Sequence, residues 1–307
     1  MAHTLFSPEQ AARATLTDLR YLSVLPRTVR LDFANEFVAG RGQTVNVLAP
    51  ITVGEARVYT KAQRDAREAI VFDDLDQTWF PVTLEDQIYK AVRLPDDFAT
   101  FTLTNANQQV FIPMAKSVVD GLAKPLVDEM SAITNDTENP IPDVVIDPDT
   151  GSSNVLRAII AANQVLNQRK LPREGRTLAV GTEIEAALLS LPQLQKVNES
   201  ADGGDMLRRA VIGNLFGFTI VVAPELPSDY AVAYHRDAFA FVTRPSRQPD
   251  GAAWSGVAAQ DGFALRIIQH YNPNQLEDQV VLDTFYGATT LDAERAVSFG
   301  VAAPAGG

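Results

Sequence analysis

An α+β fold is predicted by a change of apolar period along the chain. Within residues 41–92, apolar and polar residues alternate in short runs, the two-residue period of half-buried strands. From Phe111 the apolar residues recur at Ala115, Val118, Leu122, Leu126, Met130 and Ile133, steps of three and four that trace one helical stripe. Strand-like runs then return as VIGNLFGFTIVVAPEL, FALRIIQHY and QVVLDTFYGATTL. No internal repeat is evident.

Residues 1–40 are mixed and amphipathic, with Arg13, Arg20, Arg27 and Arg30 against Glu9, Asp18, Asp32 and Glu36. Such an arm has little core of its own and is expected to lie against something else. Residues 41–92 read as an extended β-excursion with no intrachain partner in sight, through GRGQTVNVLAP, EARVYT and AIVFDDLDQTWFPVTLEDQIYKAV. Its middle is charged: Lys61, Arg64 and Arg67 sit near Asp65 and Glu68, and the acidic run Asp73, Asp74 and Asp76 follows. Such runs are commonly solvated faces.

The stripe that follows predicts a helix of roughly six turns. Pro113 suits its first turn, where a missing N–H costs nothing, whereas Pro125 lies inside and is expected to kink it. Residues 135–153 form a polar loop with three prolines. NVLRAIIAANQVLNQRK is a second helix, RTLAVG a buried strand and TEIEAALLSL a helix. Thr182 and Glu185 stand at capping-box spacing at the start of that helix. A Gly-rich ESADGGD connects to VIGNLFGFTIVVAPEL, read as Gly-punctuated strand. AVAYHRDAFAFV reads as strand, turn, strand around His235-Arg236-Asp237.

That tripeptide opens the catalytic loop of protein kinases, but the partners such chemistry needs are missing. The position that should hold a metal-binding Asn is Val242, and GRGQTV has Val45 where a phosphate loop needs its third Gly. The chain has no cysteine, so disulfides, thiolate nucleophiles and Cys-bound metals are excluded. Its histidines are His3, His235 and His270, scattered too widely to suggest a metal site. IDPDTGSSN has Gly151 where a calcium loop needs a third acidic ligand. With 38 acidic against 26 basic residues the net charge is −12, the wrong sign for a sequence-specific DNA-binding module. There is no signal-peptide apolar region and no run of ~20 apolar residues, so a cytoplasm-like compartment is expected. No catalytic residues, cofactor or metal ligands are predicted.

The order of parts resembles the major capsid proteins of tailed bacteriophages, which share the Hong-Kong-97-type fold, and most of all the short-type coat proteins of actinobacterial phages. VRLDFANEFVAGRGQTVNVLAP (29–50) looks like the strand entering the family's E-loop. FIPMAKSVVDGLAKPLVDEM (111–130) looks like the spine helix of its P domain, proline included. RRAVIGNLFGFTIVVAPELP (208–227) with YAVAYHRDAFAFVTRP resembles the strands joining A domain to hinge. LDTFYGATTLDAERAVSFGV (282–301) resembles its C-terminal strands. The resemblance divides the chain into an N-terminal arm (1–40), an E-loop (41–92), a P domain with spine helix (93–151), an A domain (152–234), and a hinge with C-terminal P-domain strands (235–307).

What it implies is a self-assembling shell protein, forming hexamers and pentamers of an icosahedral head around double-stranded DNA without sequence-specific binding. Partners would be further copies of itself, a portal protein and a decoration protein. A separate scaffolding protein is also expected, because the similarity starts within the first thirty residues. Assembly would take place in the host cytoplasm and the finished protein would reside in the virion. His235, Arg236 and Asp237 would be structural, in ion pairs or a subunit contact. In relatives the loop matching Asp73, Asp74 and Asp76 reaches across a neighbouring subunit, where arm residues Arg13, Arg20, Arg27 and Arg30 are candidate partners. Two alternatives stay open: an encapsulin-like nanocompartment, distinguished by its protein cargo, and a soluble α+β enzyme using Asp73 and Asp76 on a metal.

Overall fold

The computed structural model describes residues 8–22, 24–31, 44–48, 56–72, 79–97, 107–146, 153–191, 211–251, 254–260 and 262–302. Its α-helices are α1 (Pro8–Leu22), α2 (Lys61–Asp65), α3 (Ile112–Ser131), α4 (Val155–Gln168) and α5 (Thr182–Leu189). Strands β1 (Thr44–Leu48), β2 (Trp79–Thr83) and β3 (Asp86–Pro95) precede α3, and β4 (Arg176–Val180) lies between α4 and α5. There follow β5 (Val211–Leu215), β6 (Phe218–Val222), β7 (Tyr230–His235), β8 (Phe239–Arg244), β9 (Trp254–Gln260), β10 (Phe263–Asn272), β11 (Glu277–Thr290) and β12 (Ala296–Gly300).

Two principal cores result. In the first, α3 buries the predicted stripe against an antiparallel sheet ordered β3-β11-β10-β9. Met114, Ala115, Val118, Leu122, Leu126 and Met130 are buried among Phe263, Leu265, Ile267, Val280 and Leu282. A π-helical turn at Asn107–Phe111 leads into α3, Pro113 occupies its first turn, and the helix continues through Pro125. Helix α1 buries Ala11, Ala12, Thr15 and Leu16, and lies against α3, β9 and β10. The N-terminal helix therefore rests on its own chain.

The expectation that 41–92 lacks an intrachain partner fails at its C-terminal end. Strand β3 pairs with β11 over ten residues, from Asp86↔Tyr286 to Pro95↔Glu277. Strand β11 is long enough to hold β10 and then β8 in succession along the edge opposite β3.

The second core lies between α4, α5 and a mixed sheet ordered β12-β7-β4-β6-β5, in which only β4 and β6 run parallel. All five residues of β4 are buried, as a central strand in a mixed sheet requires. Ala158, Ile159, Ala162, Val165 and Leu166 of α4 pack on Leu178, Val180, Phe218, Ile220, Val297 and Phe299. Because Val297 and Phe299 fill this core, β12 belongs here, and the expected 235–307 unit divides between the two cores.

Two local expectations are corrected. Gly181, not Thr182, stands at the N-cap of α5, and no side chain caps the helix. A Cβ on Gly181 would sit 2.2 Å from the Pro227 carbonyl oxygen. That close approach lets Gly181 N–H donate to Tyr230 O (2.9 Å) and Glu183 N–H to Ser228 O (3.0 Å). Backbone carbonyls thus take the place of the hydroxyl cap. The run VIGNLFGFTIVV is likewise not one strand but the hairpin β5–β6, closed by Phe216 and Gly217.

Candidate functional site

The excursion is built as a two-stranded ribbon on a firm base. β1 and β2 pair antiparallel from Thr44↔Thr83 to Leu48↔Trp79, and the Thr44 and Thr83 hydroxyls meet at 3.1 Å. At the base, Val82 and Leu84 are buried with Ala240, Val242 and Leu291, flanked by Phe80 and Phe285. Gly287 of β11 allows this close seating, since a Cβ there would lie 2.6 Å from Thr83 O.

Beyond the ribbon, residues 56–72 have shape but no core. Thr60 and Gln63 form a capping box on α2, and none of its residues is buried. The Tyr59 hydroxyl donates to the carbonyls of Glu68 (2.7 Å) and Gln63 (3.2 Å). Val58 is 82% exposed and Phe72 88%, and Ile70, Val71 and Trp79 are also exposed. Burying such a side chain is worth about 1.5–3 kcal/mol. A cluster of apolar groups on a braced but unburied tip marks an interaction surface. Arg57, Lys61, Arg64 and Arg67 against Asp65 and Glu68 leave this tip basic in an acidic chain.

The predicted acidic partners Asp73, Asp74 and Asp76 lie outside the described residues, as does the side chain of Arg20. Arg13 and Arg27 are exposed. Arg30 lies beside β8, bridging to Ala240, with its Nε 3.7 Å from Asp237 Oδ1. His235-Arg236-Asp237 is the crossover by which the chain leaves the second sheet for the first: β7 pairs with β4 and β12, β8 with β11. Val242, where a kinase would hold metal, is buried in the apolar cluster at the excursion's base.

His235 caps the crossover turn. Its Nδ1 accepts from Asp237 N–H (3.3 Å) and lies 3.5 Å from Asp237 Oδ2. Burial pulls the His235 pKa below its usual 6.5; Asp237 opposes this, while Arg295 and Arg176 add to it. A depressed folded-state pKa means the unfolded chain binds the proton more readily. Stability from neutral His235 is therefore present above pH 6.5 and is lost as pH falls through the folded value. Melting curves between pH 8 and 5 are expected to show wild type losing stability relative to His235→Asn, which keeps a neutral cap. Parallel pH profiles would contradict this role.

Three polar clusters escaped sequence reasoning. Asp283, 1% exposed, receives Arg266 through Nε (2.9 Å) and Nη2 (2.7 Å), with Ser246 Oγ at 2.9 Å and Gln87 Nε2 as further donors. Glu129 of α3 accepts from the backbone N–H (3.0 Å) and hydroxyl (2.6 Å) of Thr290, fastening helix to β11. At the joint between cores, Tyr230 OH donates to the carbonyls of Met130 (3.0 Å) and Ile133 (2.6 Å), and Ser298 Oγ to Ile133 O (2.9 Å). The second sheet thus caps the helix end with side chains. Arg169 adds a bridge to Asp136 at 2.6 Å. The Asn139 backbone N–H holds the Asp136 pKa below its usual value despite burial, with help from Arg169. The one available signal was a charge inside an apolar run, as in FALRII and VVLDTF.

No curated protein sequence matches the chain. A family described as phage capsid protein matches residues 51–289. Among solved structures, a chain of Mycobacterium phage Che8 is similar at 17% identity, with a TM-score of 0.60 over 90% of each chain. The asymmetric unit of the bacteriophage PhiM1 mature capsid is similar at 12% identity and a TM-score of 0.55, over 86% of this chain and 84% of that one. A virus-like particle from Pyrococcus furiosus reaches 12% identity and 0.51, over 94% and 97%. At these identities the structures speak for fold, while the family match spans most of the sequence. Together they show that this chain belongs to the phage capsid protein family, as a major capsid shell protein of the virion with the Hong-Kong-97-type fold.

Proposed function

We propose that the chain assembles into hexamers and pentamers of an icosahedral head enclosing double-stranded DNA, and that it acts structurally, without catalysis. The observation that carries this reading is the braced, apolar, unburied tip of residues 56–72. In a ring of like subunits each tip would be covered by the next copy through a heterologous contact. The excursion corresponds to the E-loop, the core around α3 to the P domain, and the core around α4 and α5 to the A domain. Asp73, Asp74 and Asp76 meet basic groups of a neighbour, with Arg13, Arg20 and Arg27 as the arm's candidates. Arg30 is the weakest of the four candidates because it already lies beside Asp237. Assembly in the host cytoplasm would use a separate scaffolding protein, a portal protein and a decoration protein.

A net charge of −12 disfavours tight binding to DNA, which suits a container filled by a motor. Particles carrying this chain, purified from infected cells and treated with nuclease, are expected to retain long double-stranded DNA. Shells filled with a second protein and no DNA would favour the nanocompartment alternative. Small particles alone would contradict both.

A further inference from the structure

We infer that Phe216, at the tip of the β5–β6 hairpin, is a rigidly mounted aromatic knob that inserts into a second copy of this chain. Leu215 pairs with Phe218, so two residues close the hairpin, and both have positive φ: 51° at Phe216 and 86° at Gly217. A turn of this kind favours Asn or Asp at its first position, because a bulky side chain is strained in the left-handed region. Here that position holds a Phe that is 41% exposed, so intrachain packing does not account for the strain. Strained residues kept in place by their surroundings point to use.

The surroundings do hold it. Asn163 Nδ2 donates to the Phe216 carbonyl (2.8 Å), and Asn163 Oδ1 accepts from Arg176 Nη1 (2.5 Å). Arg176 is itself buried, donating to the carbonyls of Pro172 (2.7 Å) and Leu171 (2.6 Å). A buried guanidinium thus fixes the amide that fixes the strained turn. Ile160, one helical turn before Asn163 on α4, is exposed as well and adds a second apolar group to that of Phe216.

Charge identifies the occupant. Residues 153–173 and 211–224 contain no Asp or Glu, although the chain has 38 acidic residues, and Arg157 and Lys170 are exposed on this side. Two copies carrying a charge of −12 each repel over most of their surfaces. Helix α4 and the β5–β6 hairpin, without a carboxylate of their own and flanked by Arg157, Lys170 and Arg173 with Glu174 as the neighbouring acid, are where one copy can approach the acidic surface of another. The inference rests on the shell reading only in taking the partner to be a like subunit.

Phe216→Asn tests it, since Asn accepts the left-handed conformation and removes the knob. The variant is expected to melt a few degrees higher than wild type before assembly, yet to yield at least about tenfold fewer particles, while Phe216→Tyr retains assembly. A photo-reactive phenylalanine analogue at position 216 is expected to crosslink assembled particles into a dimer of this 33.4 kDa chain. Wild-type particle yields from Phe216→Asn, no crosslink, or a crosslink to a different protein would overturn the inference and leave the shell reading intact. A wild-type chain that stays monomeric under every assembly condition would instead contradict both.

Discussion

Replacing Asp283 with Ala is expected to cost the folded chain about 3–5 kcal/mol, the range for removing one partner of a buried ion pair. Asp283 is 1% exposed and takes both forks of Arg266, at 2.9 and 2.7 Å. Its loss leaves that guanidinium without a counter-charge and takes an acceptor from Ser246 and Gln87. Four segments meet at this carboxylate: β3 through Gln87, β10 through Arg266, β11 itself, and the chain after β8 through Ser246. Their separation would loosen the sheet that carries α3. Thermal melting should fall by roughly 10 °C, at about 2–4 °C for each kcal/mol in chains of comparable size. Arg266→Met with Asp283→Leu should recover most of the loss, because an apolar pair of similar volume often substitutes for a buried ion pair. A shift under about 2 °C from Asp283→Ala would show that the cluster is screened rather than buried.

The second large effect separates assembly from folding. Changing Ile70, Val71 and Phe72 together to Ser is expected to leave the melting of the unassembled chain within about 0.5 kcal/mol of wild type, since all three are exposed. Particle formation should nevertheless disappear. Three such side chains buried in a contact stabilise it by at least about 4 kcal/mol together, which is about a thousandfold in affinity. Sedimentation of folded, unassembled protein is the expected outcome. Normal particles from the triple variant would show that the apolar tip is not a contact.

Local chemistry made much of this fold legible and long-range geometry hid the rest. The stripe from Ala115 to Met130 appears as a buried helical face because three-and-four spacing needs no knowledge of the partner. AVAY and AFAFV appear as strands on either side of a polar break for the same reason. That these two strands enter different sheets was not legible, since the turn residues say nothing about pairing. Nor was the register of β3 on β11, which joins residues nearly two hundred positions apart. Arg266 and Asp283 are directly opposed on β10 and β11, so their ion pair follows from a register that the sequence pattern alone does not supply. Thr182 fails as a cap because the first turn starts one residue earlier: Glu185 N–H, which the Thr182 hydroxyl would have taken, donates to Gly181 O, and the chain after β6 delivers the carbonyl of Ser228 to Glu183 N–H. Of the candidate site, the excursion's existence was readable, while the exposure of Val58, Ile70, Val71 and Phe72 at its tip required the structure.

The tip of residues 56–72, bare in the single chain, is expected to be covered by a neighbouring copy in a closed shell. Electron cryomicroscopy of assembled particles measures this directly. The expected result is closed shells in which Phe72, 88% exposed in the isolated chain, lies buried against a second copy together with Ile70 and Val71. Closed shells in which these three side chains still face solvent would contradict it.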